Sequence, residues 1–337
     1  MTLTEKLLQW YEKNGRDLPW RVKGGAHPRP YEVWLSEIML QQTTVKTVIP
    51  YFNRFLTRFP DIFSLAEAPL QDVLMLWQGL GYYTRAKKLH ECANVIVRDF
   101  GGRFPDDRAA LMKLPGVGAY TSAAIASLAF NKPEAAVDGN VVRTLCRIKG
   151  WDKPVSELSK QIETLAQTCV SRTRAADYAS AIMDFGATVC TPKNPLCDGC
   201  PLRQDCQALK NATVSLIPAV AKTPKAGKSG YVFIITDGNG GVLLRRRTEK
   251  GLLSGLTEMP WNTDCSFPFE NGWEISKAAV SHTFTHFRLT LTLVSGRTED
   301  ASRICGGFFA PVSGLDGHPF SSLMKKVIKT AKKHQMF

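Results

Sequence analysis

Four closely spaced cysteines constrain the fold of this chain more than any other feature of its sequence. Cys190, Cys197, Cys200 and Cys206 fall within 17 residues. Four thiolates at this spacing can surround one soft metal centre. No secretory leader pattern precedes them, and this favours a metal over disulfides. The residues leave two alternatives open, an iron–sulfur cluster and a zinc ion, although zinc sites typically use two close cysteine pairs and this segment has one.

Length and charge set the wider limits. The chain has 337 residues, enough for about two domains, and a formal net charge of +13. We find no apolar run long enough to cross a bilayer, so we expect an intracellular protein that does not associate with membranes. The positive charge suits a polyanion such as nucleic acid, although a merely basic soluble protein would carry the same charge.

The hydrophobic pattern changes along the chain. Residues 1–207 carry apolar side chains at three- and four-residue steps, which predicts a mostly helical domain. Residues 208–229 are rich in lysine, proline and small side chains and read as a linker. Residues 230–337 alternate like strands and end in a basic amphipathic pattern, which predicts a second, α+β domain.

Individual elements can be predicted within these parts. The apolar pattern from Val33 to Val48 predicts a helical stretch bracketed by Pro30 and Pro50. Helical patterns also cover Ala109–Phe130, broken at 114–118, and Ser156–Phe185. In the last part we predict strands over Tyr231–Thr236, Val242–Leu244 and Phe287–Val294, and a helix over Ser321–His334.

The segment Leu114–Gly118 predicts a hairpin between two helices. Gly116 and Gly118 allow a tight turn and a close approach of another molecule to the backbone. The next helix is expected to begin at about Ala119, so its free N–H groups can meet a phosphate. An ordinary glycine turn between helices is the alternative.

Two carboxyl groups are candidates for catalysis. Glu37 has apolar neighbours on its helical face, and burial there would raise its pKa into the range of a general acid. Asp138 stands at the predicted start of a helix, whose N-terminus would stabilise its anion to face a developing positive charge. The alternatives are a buried structural glutamate and a simple N-cap aspartate.

These motifs, in this order, resemble the MutY-type adenine DNA glycosylases of the endonuclease III superfamily. The resemblance covers nearly the whole chain. It rests on LPWR (18–21), YEVWLSEIMLQQT (31–43), the Gly79–Arg85 turn, LPGVGAYTSAAI (114–125), VDGNVVR (137–143) and the cysteine loop. It implies a mostly α helix-hairpin-helix glycosylase core with a 4Fe–4S cluster, followed by an α+β Nudix-like domain. The implied substrate is duplex DNA with adenine opposite 8-oxoguanine or guanine, and we expect a monomer.

The same resemblance assigns roles to residues of this sequence. Glu37 would protonate the adenine and Asp138 would stabilise the sugar cation, with Tyr120 and Asn140 positioning both. Gln42 and Tyr82 would enter the space that the extruded base leaves. Residues Phe284, Thr285 and His286 resemble the loop that recognises 8-oxoguanine, where a serine is common at the position of Thr285.

Three rival functions remain at this level. Endonuclease III itself uses a lysine on the helix after the hairpin, where this chain has Ala119-Tyr120-Thr121, so we predict a glycosylase without strand-cutting activity. A non-catalytic DNA-binding protein with zinc would need neither carboxyl group. A Nudix hydrolase would need more glutamates than Glu249 and Glu258 in residues 245–260.

Overall fold

Helices occupy the N-terminal part of the chain and strands the C-terminal part. The computed structural model describes residues 1–22, 27–219, 226–249, 251–270, 272–284 and 286–337. The helices are α1 Leu3–Asn14, α2 Pro30–Leu40, α3 Val45–Arg58, α4 Ile62–Glu67, α5 Leu70–Leu76, α6 Thr84–Phe100, α7 Arg108–Leu111, α8 Ala119–Phe130, α9 Gly139–Lys149, α10 Val155–Cys169, α11 Ala175–Thr188, α12 Gln207–Lys210 and α13 Ser322–Lys333. The strands are β1 Ala226–Thr236, β2 Gly241–Arg246, β3 Thr257–Glu258, β4 Trp261–Asn262, β5 Glu274–Thr283, β6 Phe287–Arg297 and β7 Gly307–Pro311. None of the helices described is both long and apolar enough to cross a membrane.

The predicted hairpin is confirmed. Asp107 caps α7, with its side chain accepting from the N–H of Ala110, and α8 begins at Ala119 as expected. Between the two helices, Gly116 has a φ of +77°, a conformation that favours glycine.

Two helical stretches are interrupted where a single one was predicted. Residues 41–44 separate α2 from α3, because the side chain of Thr44 caps α3 by accepting from the N–H of Thr47. The expectation that Pro50 ends the stretch is wrong, since Pro50 lies inside α3. Likewise, α10 ends before a polar turn in which Ser171 accepts from the N–H of Arg174, so 156–185 is not one helix.

The C-terminal strands form one mixed sheet. Its order is β3-β2-β1-β6-β5, with β4 pairing with β1 and β7 pairing with β2. The long strands β1 and β6 are parallel, and β5 returns antiparallel to β6. The three predicted strands and the helix α13, capped by Ser321, are confirmed.

Both faces of this sheet are covered by apolar side chains. Successive residues of β1 alternate between the two faces, so Val232 and Ile234 join one cluster while Phe233 and Ile235 join the other. The first cluster contains the apolar face of α13, for example Val327. This packing explains why β1 reads as a continuous apolar run rather than an alternating one.

Two compact units divide the chain, and each joins two separate segments. One unit comprises Met1–Glu67 and Lys88–Lys222, and the other comprises Ala68–Lys87 and Thr223–Phe337. In the first unit, α11 packs on α1, α8 and α9. Ile217 is buried in the core of this unit, so part of the expected linker is packed on the helices. The boundaries 1–207, 208–229 and 230–337 stay a prediction.

Candidate active site

The helical unit contains a cavity of about 1440 Å³. Seven of the residues singled out in the sequence line it: Glu37, Gln42, Gly116, Gly118, Tyr120, Asp138 and Asn140. They come from α2 and the turn after it, from the hairpin with α8, and from the start of α9. The fold therefore brings together side chains that are about 100 positions apart in the sequence.

Glu37 is a buried carboxyl group at the wall of this cavity. It lies on α2 between apolar neighbours and only 4% of it is exposed. Its Oε2 accepts a hydrogen bond of 2.8 Å from the hydroxyl of Tyr120. Burial raises the pKa of Glu37 to about 7, and the charge of Asp138 raises it further, while the bond from Tyr120 and the charge of Arg21 oppose the rise. Near neutral pH this group can therefore hold a proton and give it away.

The hairpin determines where Tyr120 lies. Gly118 is the N-cap of α8 and Tyr120 is the second residue of this helix, so the turn fixes the direction of its side chain. Its hydroxyl lies 3.9 Å from the sulfur of Met183 and donates to Glu37. Burial, followed by the charges of Glu37 and Asp138, raises the pKa of Tyr120 well above its usual value. The hydroxyl is consequently a neutral donor at any physiological pH.

Asp138 is the N-cap of α9. One carboxylate oxygen accepts from the backbone N–H of Val141 at 2.8 Å, and the other accepts from the amide of Asn140 at 2.6 Å. We expected the helix N-terminus to stabilise its anion. These two bonds do favour the anion, but burial outweighs them and the pKa of Asp138 lies above its usual value. Asp138 thus combines the N-cap geometry with a desolvated carboxyl group.

Arg143, which the sequence analysis did not single out, continues this set of hydrogen bonds to the cysteine loop. Its guanidinium donates to the side-chain oxygen of Asn140 at 2.9 Å and to the carbonyls of Gly186 and Cys190, the latter at 2.7 Å. Arg143 is 8% exposed, so these contacts lie away from water. Asp138, Asn140, Arg143 and the backbone of Cys190 form one continuous network.

A second buried network stands beside Glu37. Asp184 is fully buried and pairs with Arg16 at 2.7 Å and with Arg21 at 2.6 Å. Burial raises the pKa of Asp184, but the two arginines more than compensate and the net shift is downward. Arg21 also lines the cavity, so Asp184 fixes a positive charge near Glu37. The LPWR motif (18–21) indicated that this region matters, but it did not indicate the ion pair of Arg21 with Asp184.

The four cysteines fit a metal centre that requires thiolates. Burial, and then the charges of the other three thiolates, raises the pKa of Cys200 to about 11. Four thiolates so close together need a positive metal centre to be ionised at once. Arg147 adds to the site, since its guanidinium lies 3.5 Å from the sulfur of Cys190 and donates to the carbonyl of Thr191 at 2.7 Å. Among the residues described, no three His, Cys, Asp or Glu side chains, these cysteines included, lie close enough together to hold a single metal ion.

The remaining predicted site residues belong to the other unit. Tyr82 is 47% exposed and lies in a turn before α6. Phe284 follows β5, and its ring lies 4.7 Å from that of His282 and 4.9 Å from that of Phe287. His286 is exposed just before β6. The expectation for Thr285 falls outside the described residues.

The glutamates of the C-terminal unit serve as partners of arginines. Glu258 is 1% exposed, and its oxygens accept from Arg245 at 3.0 Å, Arg247 at 3.1 Å and the indole N–H of Trp261 at 2.8 Å. Glu249 pairs with Arg245 at 2.9 Å. Both carboxylates are therefore engaged in internal ion pairs.

Three protein families match consecutive parts of the chain. The HhH-GPD superfamily of base excision DNA repair proteins matches residues 35–171. The iron–sulfur binding domain of endonuclease III matches residues 190–206, and the NUDIX domain matches residues 231–330. These matches confirm the predicted fold class and cofactor, with Cys190, Cys197, Cys200 and Cys206 as the cysteines of the matched loop.

Individual proteins agree with the family matches. The adenine DNA glycosylase of Rattus norvegicus is 33% identical over 98% of this chain and 78% of its own length. That of Buchnera aphidicola subsp. Baizongia pistaciae is 35% identical over 86% of this chain and 83% of its own length. A solved structure of a thermostable thymine-DNA glycosylase has a TM-score of 0.56 and 32% identity, covering 62% of this chain and 95% of that one. With a helix-hairpin-helix core, an iron–sulfur loop and a Nudix-like domain in the same order, this chain is a DNA glycosylase and belongs to the MutY-type adenine DNA glycosylase family.

Proposed function

We propose that this chain removes adenine paired with 8-oxoguanine or guanine in duplex DNA and leaves the DNA backbone uncut. Adenine is the base named for the relatives of this chain. The observation that carries the proposal is the buried carboxyl group of Glu37, bonded to Tyr120 and close to Asp138 at one cavity. A base must leave the stack to reach such a site, as in other enzymes that act on DNA bases.

Glu37 serves as the general acid in this proposal. Its pKa of about 7 leaves a proton available for N7 of the extruded adenine. Once N7 is protonated, the pair of electrons of the glycosidic bond moves to the base, which leaves as neutral adenine. Tyr120 orients the carboxyl group through its 2.8 Å hydrogen bond.

Asp138 stabilises the cation that remains on the sugar. Loss of the base leaves positive charge shared by C1′ and the ring oxygen, and a carboxylate nearby lowers its energy. The amide of Asn140 and the N–H of Val141 hold the carboxylate in one orientation. Water then adds to C1′ and releases a proton, which gives an abasic site.

The absence of strand cutting follows from the residue after the hairpin. A lyase of the endonuclease III kind attacks the sugar with an amine at this position. Here Tyr120 occupies it, and its hydroxyl is bound to Glu37. We therefore assign hydrolysis and no Schiff base to this site.

Residues outside the catalytic pair would grip the DNA and identify the opposite base. Gln42 and Tyr82 have φ values of +56° and +49°, so each side chain is presented from a tight turn. The segment with Phe284, Thr285 and His286 would contact 8-oxoguanine. The cluster held by the four cysteines would fix the shape of its loop and take no part in hydrolysis.

The decisive experiment measures base release from duplexes with adenine opposite 8-oxoguanine, guanine or thymine. We expect fast release opposite 8-oxoguanine, slower release opposite guanine, and little opposite thymine. Strands should break only after alkali treatment. Release of a pyrimidine instead of adenine, or breaks without alkali, would contradict the proposal.

A further inference from the structure

The turn that carries Tyr82 has an unusual backbone. Gly79 and Gly81 have φ values of +101° and +76°, and Tyr82 itself has a φ of +49°. A residue with a bulky side chain rarely adopts this conformation unless its surroundings impose it. The contacts of the turn therefore decide where Tyr82 lies.

One set of contacts comes from within the same segment. The indole N–H of Trp77 donates to the carbonyl of Gly81 at 2.9 Å. The guanidinium of Arg85 donates to the carbonyls of Leu80 at 3.3 Å and Gly81 at 3.2 Å. It also lies 5.2 Å from the ring of Trp77 and 5.4 Å from the ring of Tyr82. These contacts close the turn locally.

A second set comes from the C-terminal part of the same compact unit. The amide of Gln78 donates to the carbonyls of His318 at 3.0 Å and Phe320 at 3.4 Å. The hydroxyl of Tyr83 donates to the carbonyl of Phe320 at 3.2 Å and accepts from the N–H of Gly79 at 3.3 Å. Tyr83 is only 5% exposed, so its hydroxyl bonds are not exchanged freely with water.

The ring of Phe320 faces the core that also supports the loop after β5. Phe320 is 3% exposed and belongs to the cluster against which Phe284 and Phe287 pack. The backbone N–H of Phe284 donates to the carbonyl of Phe287 at 2.8 Å. Phe320 thus belongs to the core on which Phe284 and Phe287 pack, and its carbonyl supports the Tyr82 turn.

We propose that Gln78 and Tyr83 are positioning residues that couple Tyr82 to the C-terminal loop at Phe284. They act through the carbonyls of His318 and Phe320 and make no contact with DNA themselves. The inference rests on the proposed function, in which Tyr82 enters the duplex and the loop contacts the base opposite adenine. A change at the loop then reaches Tyr82 through packed contacts of one unit.

The test replaces Tyr83 with phenylalanine, which removes only the hydroxyl. Tyr31→Phe is the matched control, since Tyr31 is 6% exposed and its hydroxyl donates to the carbonyl of Phe59 at 2.8 Å. We expect Tyr83→Phe to slow adenine release opposite 8-oxoguanine roughly 3- to 10-fold, the value of one buried hydrogen bond. It should also lower the preference for 8-oxoguanine over guanine. Tyr31→Phe should lower the melting temperature but change neither the rate of adenine release nor the preference for 8-oxoguanine.

A double-mutant cycle separates positioning from a loss of stability. If Tyr83 acts through Tyr82, then adding Tyr83→Phe to Tyr82→Leu should slow release less than about twofold further. Gln78→Ala, at a half-buried position, should show the same dependence on Tyr82. The inference would be overturned if the rate losses of the two single variants multiplied fully in the double variant. It would also be overturned if Tyr83→Phe changed adenine release and base preference no more than the Tyr31→Phe control does. A wild-type protein that releases no adenine would instead refute the proposed function.

Discussion

At Glu37, the protonation state is set by where the fold buries the side chain. Desolvation is the largest cause of its raised pKa, and the hydrogen bond from Tyr120 only partly offsets it. The apolar neighbours of Glu37 on α2 indicated this burial from the sequence. The bond to Tyr120 joins positions 83 apart and could not be found in the same way.

The raised pKa predicts how base release depends on pH. Glu37 must be protonated to act as an acid, and its pKa of about 7 means that this form is lost as the pH rises through 7. Single-turnover rates measured from pH 5 to 9 should therefore fall about tenfold per pH unit well above 7.

Glu37→Gln should bind DNA but release adenine about 10² to 10⁴ times more slowly. A near-normal rate in this variant would exclude the acid role.

The same carboxyl group should cost stability once it is charged. Its pKa is higher in the folded chain than in the unfolded one, so its contribution is fully present below about pH 4.5 and is lost as the pH rises to about 7. Glu37→Gln has no charge to bury. Thermal unfolding should show the variant gaining stability relative to the wild type from pH 5 to 7, by about 2 kcal/mol. The same difference in stability between variant and wild type at pH 5 and at pH 8 would contradict the argument from burial.

At the scale of elements, the hairpin offers two glycines that should respond differently to alanine. Gly116 has a φ of +77°, and an added Cβ would lie 2.8 Å from Cβ of Lys88. Gly118 has a φ of −94° and open space around it. Gly116→Ala should cost about 1–3 kcal/mol of unfolding free energy. Gly118→Ala should leave the melting temperature nearly unchanged and weaken DNA binding, because its Cβ would stand where the strand approaches. Equal losses of stability would contradict this assignment.

The helix α9 connects the cysteine loop to Asp138, and Arg143 is the residue that does so. Arg143→Lys keeps the charge but loses the planar fork that reaches Asn140 and Cys190. We expect slower adenine release and faster loss of the visible absorbance of the cluster on warming. Each unpaired buried carbonyl should cost about 1–3 kcal/mol. Arg98→Lys, at an exposed ion pair with Asp99, is the control and should change neither.

Local sequence signals located most elements but not their interruptions or long-range partners. The strand pattern of β6 and the amphipathic pattern of α13 depend only on neighbouring residues, so these two elements were predicted. The break at 41–44 arises because Thr44 caps α3 within an otherwise continuous apolar pattern. The periodicity of apolar residues gives no sign of such a cap. The bond of Arg143 to Cys190 spans 47 positions and appears only when α9 packs on the loop.

At the scale of the whole molecule, the compact units do not follow chain order. Ala68–Lys87 belongs with the C-terminal part, whereas the hydrophobic pattern placed it in the helical domain. A change of composition marks where one kind of secondary structure ends, but it carries no information about which segment packs on which. The partners of Gln78 and Tyr83 are backbone carbonyls, which any sequence would supply.

This organisation predicts the result of a truncation. Removing residues 223–337 should leave 68–87 without its partners, while the core around Phe185 keeps its own. Hydrogen exchange should then be much faster in 68–87 than in α8, α9 and α11, and adenine release should slow even opposite guanine. Unchanged protection of 68–87 in the shortened chain would show that this segment folds with the helices.

The hydrogen bond between Tyr83 and Phe320 also has a consequence during synthesis of the protein on the ribosome. The two residues are 237 positions apart. At about 5–20 residues per second, a ribosome needs roughly 10 to 50 s to reach Phe320 after making Tyr83. By the end of that interval the nascent chain contains Glu37 and the hairpin, but the Tyr82 turn still lacks its support from Phe320. Under the proposed function, an unfinished polypeptide would therefore release adenine poorly before residues 223–337 have been synthesised.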